Sequence, residues 1–181
     1  MSEDFSAFVA RWRVPFGFAL GIAFVVFAQP TLPLLIAGSL LALAGVGIRA
    51  YAAGHLEKDQ CLATGGPYAY TRNPLYLGSL LIGLGLVVAG AQWVLGVVFL
   101  FFFLVVYGPV MRREERNLRR HFGEEFDNYS AAVPLFFPSR RRLNLSGTKF
   151  EWKRYRRNRE YEAALGYLGG VIFLLVKSLL R

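Results

Sequence analysis

The sequence is poor in the residues that build disulfides, metal sites and soluble surfaces. Among 181 residues there are one cysteine, Cys61, and only two histidines. A lone cysteine forms no intrachain disulfide, and no two histidines share metal-ligand spacing with a carboxylate, so we expect no metal site. Charged residues make up only 18% of the chain, which is low for a soluble domain.

Several motifs of water-soluble enzymes are also missing. The chain has no Gly-x-Ser-x-Gly, no phosphate-binding loop and no Gly-x-Gly-x-x-Gly, which excludes the common hydrolase and dinucleotide-binding folds. We expect no secretory signal either, because the first apolar block lacks a small-residue cleavage site and a second block follows at once.

What the chain has in excess is apolar sequence. Hydrophobic residues reach 55%, the mean hydropathy is +0.38, and these residues lie in long blocks. A helix needs about 20 apolar residues to cross a bilayer. The sequence therefore predicts an all-α, polytopic membrane bundle of five transmembrane helices with a cytoplasmic helical extension. The predicted spans cover residues 14–28, 32–53, 75–88, 93–110 and 161–180.

The basic residues fall on one side of this predicted bundle. They precede the first span, occur in the loop at 54–73 and crowd into 112–159, whereas the connectors at 29–31 and 90–92 have none. By the positive-inside rule, the N-terminus and the motif-bearing segments face the cytoplasm and the C-terminus emerges on the opposite side. The net charge of +9 then indicates contact with anionic lipid headgroups rather than with nucleic acid.

The whole chain, 1–181, is expected to form one membrane-embedded domain. It divides into a motif core at 52–138, a basic interfacial segment at 139–160 and a final transmembrane helix at 161–180. Residues 111–122 are expected to continue the fourth helix out of the bilayer, with Gly123 ending or bending it. The small-xxx-small spacing of Gly17 with Gly21, and of Gly166 with Gly170, suggests close helix contacts.

Two polar segments stand out against this apolar background. The first, GGPYAYTRNPLYLG at 65–78, places Tyr68, Arg72, Asn73 and Tyr76 near the start of a span. Asn73 followed by Pro74 predicts an N-cap and a helix start, where an arginine and free backbone N–H groups favour anions. The alternative is an ordinary membrane interface, where tyrosine and arginine are enriched.

The second segment, EERNLRRHFGEEFDNYSAAVPLFFP at 114–138, begins with Glu114 and Glu115. These carboxylates are placed to accept ribose hydroxyls or a cofactor amino group. Alternatively, they form ordinary helix-surface pairs with arginines such as Arg119. A third group, His55, Lys58 and Gln60, follows the second span, where a lone histidine is more often a plain hydrogen-bonding residue. His121 is expected to be a surface residue.

In this order, GPYAYTRNPLYLG, a helical hairpin, EERNL, FGEEFDNY and VPLFFP resemble the isoprenylcysteine carboxyl methyltransferase and phospholipid methyltransferase family. The resemblance covers roughly 52–138. It implies an integral membrane enzyme that binds S-adenosylmethionine in a cytoplasm-facing pocket and methylates a carboxylate or an amine on a lipid-like acceptor.

The resemblance also implies roles for single residues. Independently of the resemblance, the charge of Arg72 predicts that it orients an anion of cofactor or substrate by charge-assisted hydrogen bonds, and it is the predicted catalytic residue. The chain departs from the family pattern at two positions, with Asn73 where many relatives have histidine and Val110 where the prenylcysteine enzymes place an arginine. The predicted cofactor-binding residues are His55, Gln60, Cys61, Leu62, Ala63, Tyr68, Asn73, Pro74, Leu75, Tyr76, Glu114 and Glu115.

Methyl transfer is compatible with a chain that lacks a histidine–carboxylate pair, because in-line positioning supplies most of the rate and no general base is obligatory. Two other hypotheses stay open at this point. One is an NADPH-dependent, sterol-type reductase with a similar Tyr, Arg-x-Pro region. The other is a non-catalytic membrane module whose basic segment at 140–159 binds anionic lipid.

Overall fold

The computed structural model describes residues 3–57, 61–139 and 148–180. Over these ranges the chain is helical with no β-strand, as the sequence predicts. The helices are α1 (Glu3–Phe27), α2 (Leu32–His55), α3 (Pro74–Ala89), α4 (Trp93–Phe122), α5 (Glu124–Ala132), α6 (Trp152–Arg157) and α7 (Tyr161–Leu179), with a 3-10 turn at Gly66–Ala69 between α2 and α3.

Five apolar helices occupy the predicted spans, but they differ in length. Three of them, α2, α4 and α7, are long and apolar enough to cross a membrane by themselves. The apolar part of α1, Pro15–Phe27, and the whole of α3 are shorter. A helix rises about 1.5 Å per residue, so the 16 residues of α3 span less than the bilayer core. The predicted count of five crossings is therefore not confirmed.

The connectors and helix ends fix how the bundle is arranged. At one end, the Gln29 N–H donates to the Gly90 carbonyl over 2.7 Å, and Lys177 Nζ donates to the Val25 carbonyl over 2.6 Å. The ends of α1, α3 and α7 thus lie together, and the buried apolar cluster of Ala28, Leu35, Ala89 and Leu174 is centred there. The motif-bearing segments lie at the other end.

Helices α2 and α3 pack with their backbones in contact. A Cβ added to Gly38 would lie 2.3 Å from the Gly85 carbonyl oxygen, and one added to Gly45 would lie 2.6 Å from the Gly78 carbonyl oxygen. Small residues allow membrane helices this close approach, which increases dispersion contacts between them. The two helices therefore form a rigid pair that carries the start of α3.

The glycines singled out by spacing are not the ones that make this contact. Among the described residues, a Cβ on Gly17, Gly21 or Gly166 would meet no atom within 4 Å, and one on Gly170 would meet the Leu86 side chain at 3.1 Å. The expectation of close helix contacts was therefore wrong at Gly17, Gly21 and Gly166, whereas Gly170 of α7 packs against Leu86 of α3. Spacing alone does not reveal which face a glycine occupies.

Helix α4 continues far beyond its apolar half, as predicted. It runs for 30 residues to Phe122 and ends at Gly123, whose φ of +53° is a left-handed conformation that suits glycine. Helix α5 begins at the next residue and folds back toward the bundle. Its residues Phe126 and Tyr129 are buried, and they pack with Leu62 and Val133 in a second apolar cluster.

The segment before α7 is attached to the end of α2. Asn158 Nδ2 donates to the Ala53 and Leu56 carbonyls, each over 3.0 Å, and the Glu151 N–H donates to the Gly54 carbonyl over 2.9 Å. These are carbonyls that the end of a helix leaves without intrahelical partners. Because the described part of the basic segment satisfies them, α6 and the start of α7 lie beside the motif-bearing end.

We predict that Gly85→Ala destabilises the protein, because the new Cβ would lie 2.5 Å from the Gly38 carbonyl oxygen. Overpacking of this kind costs about 1–3 kcal/mol, and each kcal/mol lowers the melting temperature by about 2–4 °C at this chain length. Thermal unfolding of the detergent-solubilised protein measures the change. Gly166→Ala is the control and should melt at or above the wild-type temperature, because alanine favours helix. Equal melting temperatures for the two variants would contradict the packing.

Candidate functional site

A cavity of about 630 Å³ lies where α2 ends and α3 begins, beside the polar half of α4. It brings together residues from both sequence motifs. Helix α2 contributes Arg49, the loop after α2 and the 3-10 turn contribute the middle wall, and α4 and α5 close the other side. The predicted site residues that line it are Cys61, Leu62, Ala63, Tyr68, Arg72, Asn73, Pro74, Leu75, Tyr76, Glu114 and Glu115.

One predicted site residue, His55, does not line the cavity. His55 is buried outside it, with Nδ1 2.8 Å from the Tyr51 carbonyl oxygen and its ring against Phe150. Its ring also lies directly beneath Gly66, where an added Cβ would approach it to 2.6 Å. His55 thus supports the turn from below, and Gln60 lies outside the described residues.

The 3-10 turn presents Tyr68 to the cavity. Gly66 has a φ of +56°, which lets the chain reverse before Pro67. The Tyr129 hydroxyl of α5 donates a 2.7 Å hydrogen bond to the Tyr68 carbonyl, and both residues are buried. Burial raises the pKa of both phenols, which stay protonated as neutral donors. Tyr70, by contrast, is exposed and does not line the cavity.

The segment at 134–139 folds back along residues 70–73. The Arg72 N–H donates to the Pro134 carbonyl over 3.0 Å, and the Ser139 N–H donates to the Tyr70 carbonyl over 2.8 Å. The Thr71 hydroxyl donates to the Phe136 carbonyl over 2.8 Å, so the side chain of this buried threonine is used as well. The two motifs are therefore joined by the backbone of the Pro-rich end of the second motif.

Asn73 is the N-cap residue of α3, and its side chain takes part in this junction. Helix α3 begins at Pro74 as predicted, but the Asn73 side chain makes no capping hydrogen bond. Its Nδ2 donates instead to the Leu135 carbonyl over 3.0 Å. The predicted N-cap position is thus confirmed, while the side chain of Asn73 serves the junction with the returning segment.

Tyr76 and Glu114 meet across the cavity. The Tyr76 hydroxyl donates to Glu114 Oε2 over 2.9 Å, although the residues are 38 positions apart. Tyr76 is oriented by the first turn of α3 and by ring contact with Tyr107, at a centroid distance of 5.4 Å. In the described part of the chain Glu114 has no basic partner, so its negative charge is not neutralised by an ion pair.

Arg72 and Glu115 form an ion pair on the same wall. The hypothesis that Glu115 pairs with Arg119 was wrong, because Arg119 Nε contacts Asp127 Oδ1 of α5 over 2.7 Å. Arg72 Nε is buried and donates no hydrogen bond to any residue that the structure describes. A buried guanidinium N–H without an acceptor costs free energy, so this nitrogen fits an anionic group of a ligand in the cavity.

Arg49 was missed by the sequence reasoning. It lies inside α2, and its Nε and Nη2 each contact a Glu160 carboxylate oxygen over 2.9 Å. Its Nη1 donates to the Leu75 carbonyl and to the Ser79 hydroxyl of α3. Its position within a predicted membrane span could have identified it, because an ionisable residue in such a span is usually paired and functional.

The polar half of α4 contributes more residues than Glu114 and Glu115. Asn117, Leu118, His121 and Phe122 also line the cavity, and their spacing from Glu114 places them on one face of the helix. His121 is exposed, as predicted, but it borders the cavity. Helical periodicity from Glu114 would have identified these positions.

The cavity suits an organic cofactor better than a metal ion. Within the described ranges, no group of three or more His, Cys, Asp or Glu side chains could hold a metal. Pockets for cofactors usually measure about 300–1,000 Å³ and combine apolar walls with a few polar groups. Here apolar side chains surround one unneutralised carboxylate and one arginine nitrogen that lacks an acceptor, a set that fits a cofactor with both positive and negative groups.

The chain is similar in sequence to known proteins. The family profile described as phospholipid methyltransferase matches residues 18–125, more than half of the chain. No solved structure matches significantly.

Three curated relatives were found. The chain is 34% identical to the cobalt-zinc-cadmium resistance protein CzcN of Cupriavidus metallidurans over 62% of its length and 54% of that protein. It is 32% identical to the nickel-cobalt-cadmium resistance protein NccN of Alcaligenes xylosoxydans xylosoxydans over 57% of this chain and 52% of that protein. It is 31% identical to the protein-S-isoprenylcysteine O-methyltransferase of Schizosaccharomyces pombe over 75% of this chain and 59% of that protein. The chain thus spans about half the length of the curated relatives it matches.

We predict that Tyr129→Phe destabilises the protein by about 1–3 kcal/mol, because the Tyr68 carbonyl loses its buried donor. Thermal unfolding of the purified protein measures the loss. Tyr155→Phe is the matched control, since no hydrogen bond of its hydroxyl to another described residue is present, and it should melt within about 0.5 kcal/mol of wild type. An unchanged melting temperature for Tyr129→Phe would show that α5 does not hold the turn.

Proposed function

The chain belongs to the phospholipid methyltransferase family, and from that premise we propose that it transfers the methyl group of S-adenosylmethionine to a lipid-like acceptor in the membrane. The observation that supports this most directly is the contact between Tyr76 and Glu114. It joins the two family motifs across one cavity whose size suits the cofactor. The S. pombe relative, whose name describes an O-methyltransferase, agrees with this chemistry.

In this proposal, different residues of the cavity bind different groups of the cofactor. S-adenosylmethionine, when bound, supplies an electrophilic methyl group on a positively charged sulfur. Glu114 offers a carboxylate for the cofactor's hydroxyl or ammonium groups, and Tyr76 holds this carboxylate in place. Arg72 offers its unpartnered Nε to a carboxylate, in the role of an anion-orienting residue. Glu115 fixes the Arg72 guanidinium from the other side.

The apolar wall supports methyl transfer by excluding water. Leu62, Ala63 and Tyr68 are buried around the cavity, with exposed fractions below 10%. A nucleophile that is partly desolvated and held in line reacts faster, and the protein need not move a proton at the same time. Tyr68, neutral because burial raises its pKa, is available as a hydrogen-bond donor that adds no charge.

The acceptor is proposed to enter from the bilayer. Large apolar side chains cover the outside of the long helices, with Phe101 of α4 70% exposed and Leu165 of α7 62% exposed. Such surfaces suit contact with lipid chains. We further propose that the cavity faces the cytoplasm, because the basic residues adjoin this end of the bundle.

We predict that the wild-type protein binds S-adenosylhomocysteine, the demethylated cofactor, and that Glu114→Gln weakens this binding about 10- to 100-fold. A hydrogen bond to a charged group contributes about 1.5–3 kcal/mol, which corresponds to that range. Isothermal titration calorimetry of the full chain measures the affinity.

Glu125→Gln is the matched control, because Glu125 lies exposed on α5 and does not line the cavity; its affinity should equal that of wild type. Equal affinity of Glu114→Gln and wild type would remove Glu114 from the site. No binding by wild type at millimolar ligand would refute the proposed cofactor. Protection against thermal unfolding by NADPH but not by S-adenosylhomocysteine would favour the reductase.

A further inference from the structure

The charged residues that line the cavity are unequally compensated. Arg72 is paired with Glu115, and Glu57 contacts Arg154 over 2.8 Å. Glu114, in contrast, accepts a hydrogen bond from the neutral Tyr76 hydroxyl and has no cationic partner in the described ranges. Glu114 therefore leaves a net negative charge among these residues of the cavity, because the charges in the ion pairs cancel.

Arg49 is the remaining cation, and Glu160 neutralises it. The pair is bidentate with both distances at 2.9 Å, and the side chains of Arg49 and Glu160 are only 23% and 9% exposed. The third nitrogen of Arg49 is bound to α3. Two parallel charge-assisted hydrogen bonds in a largely dry environment hold the guanidinium firmly. It is therefore not available to a second carboxylate while Glu160 is in place.

Burying an anion requires a cation or several hydrogen-bond donors nearby. Neither cavity arginine meets that need for an acceptor carboxylate. Arg49 is bound to Glu160, and Arg72 is bound to Glu115 while its remaining Nε is assigned to the cofactor in the proposed function. We propose, building on the proposed function, that Glu160 is a specificity-determining residue: by pairing with Arg49 it excludes carboxylate acceptors and leaves the cavity selective for a lipid-like amine.

The charge balance of the reaction agrees with an amine. An ammonium acceptor first loses a proton to solvent. The nitrogen lone pair then forms a bond to the methyl carbon, and the sulfur–carbon bond breaks with its electrons remaining on sulfur. The sulfur becomes a neutral thioether and the positive charge passes to nitrogen, so from the neutral amine onward Glu114 faces one positive charge. With a carboxylate acceptor both charges would vanish, leaving Glu114 uncompensated.

Glu160 acts through Arg49 and is thus a positioning residue, which makes selectivity the informative readout. The full chain is placed in phosphatidylcholine nanodiscs and saturated with S-adenosylhomocysteine. Oleate and oleylamine, which share one chain length and differ in head group, are titrated separately, and protection against thermal unfolding gives an apparent Kd for each. Partitioning into the lipid affects the ratio of the two Kd values equally in every variant.

We expect wild type to bind oleylamine at least tenfold more tightly than oleate. Glu160→Gln leaves Arg49 without its carboxylate and should shift the ratio toward oleate at least tenfold. The double variant Arg49→Gln with Glu160→Gln removes both charges and should return the ratio to within threefold of wild type. Arg49→Gln alone leaves Glu160 unpaired and should raise the preference for oleylamine at least threefold, which tests the proposal even if Glu160→Gln does not fold.

Three results would overturn the proposal: a wild-type preference for oleate, a ratio in Glu160→Gln within twofold of wild type, or no binding of either amphiphile to any variant. Its failure can be separated from failure of the proposed function. A wild type that does not bind S-adenosylhomocysteine defeats the proposed function, whereas normal binding of that ligand with unaltered ratios defeats only the role of Glu160.

Discussion

The site depends on the hydrogen bonds between residues 70–73 and the returning segment at 134–139. They attach the segment that follows α5 to the residues that precede α3. The Thr71 hydroxyl and the Arg72 N–H bind carbonyls of this segment, and the Tyr129 hydroxyl adds a buried bond to the preceding turn. Because buried backbone groups need partners, this junction fixes the register in which Tyr76 meets Glu114.

A second constraint comes from the end of the chain, beyond the part that the family profile covers. Asn158 satisfies carbonyls at the end of α2, and Glu160 holds Arg49 against α3. These contacts attach α7, whose surface is otherwise largely exposed, to the cavity wall. The C-terminal segment therefore contributes to the site itself as well as adding an apolar helix.

The sequence predicted the helix class, the start of α3 at Pro74 and the end of α4 at Gly123, because proline, glycine and long apolar runs act locally. It also predicted most of the cavity lining through the two motifs. It did not reveal the partners of Asn73 and Glu115 or the contact between Arg49 and Glu160, which are 111 positions apart. Such long-range pairs depend on which helix faces meet, and local patterns contain no information on that.

Asn73 departs from the family pattern, and the structure shows what its side chain does instead. A histidine at this position, as many relatives have, suggests proton chemistry, which an asparagine cannot supply. Here the Asn73 amide donates to the Leu135 carbonyl and so helps to hold the returning segment against α3. A histidine N–H could make the same kind of bond. Either residue can thus supply a hydrogen-bond donor at the junction, which is compatible with the proposed methyl transfer because that reaction relies on positioning.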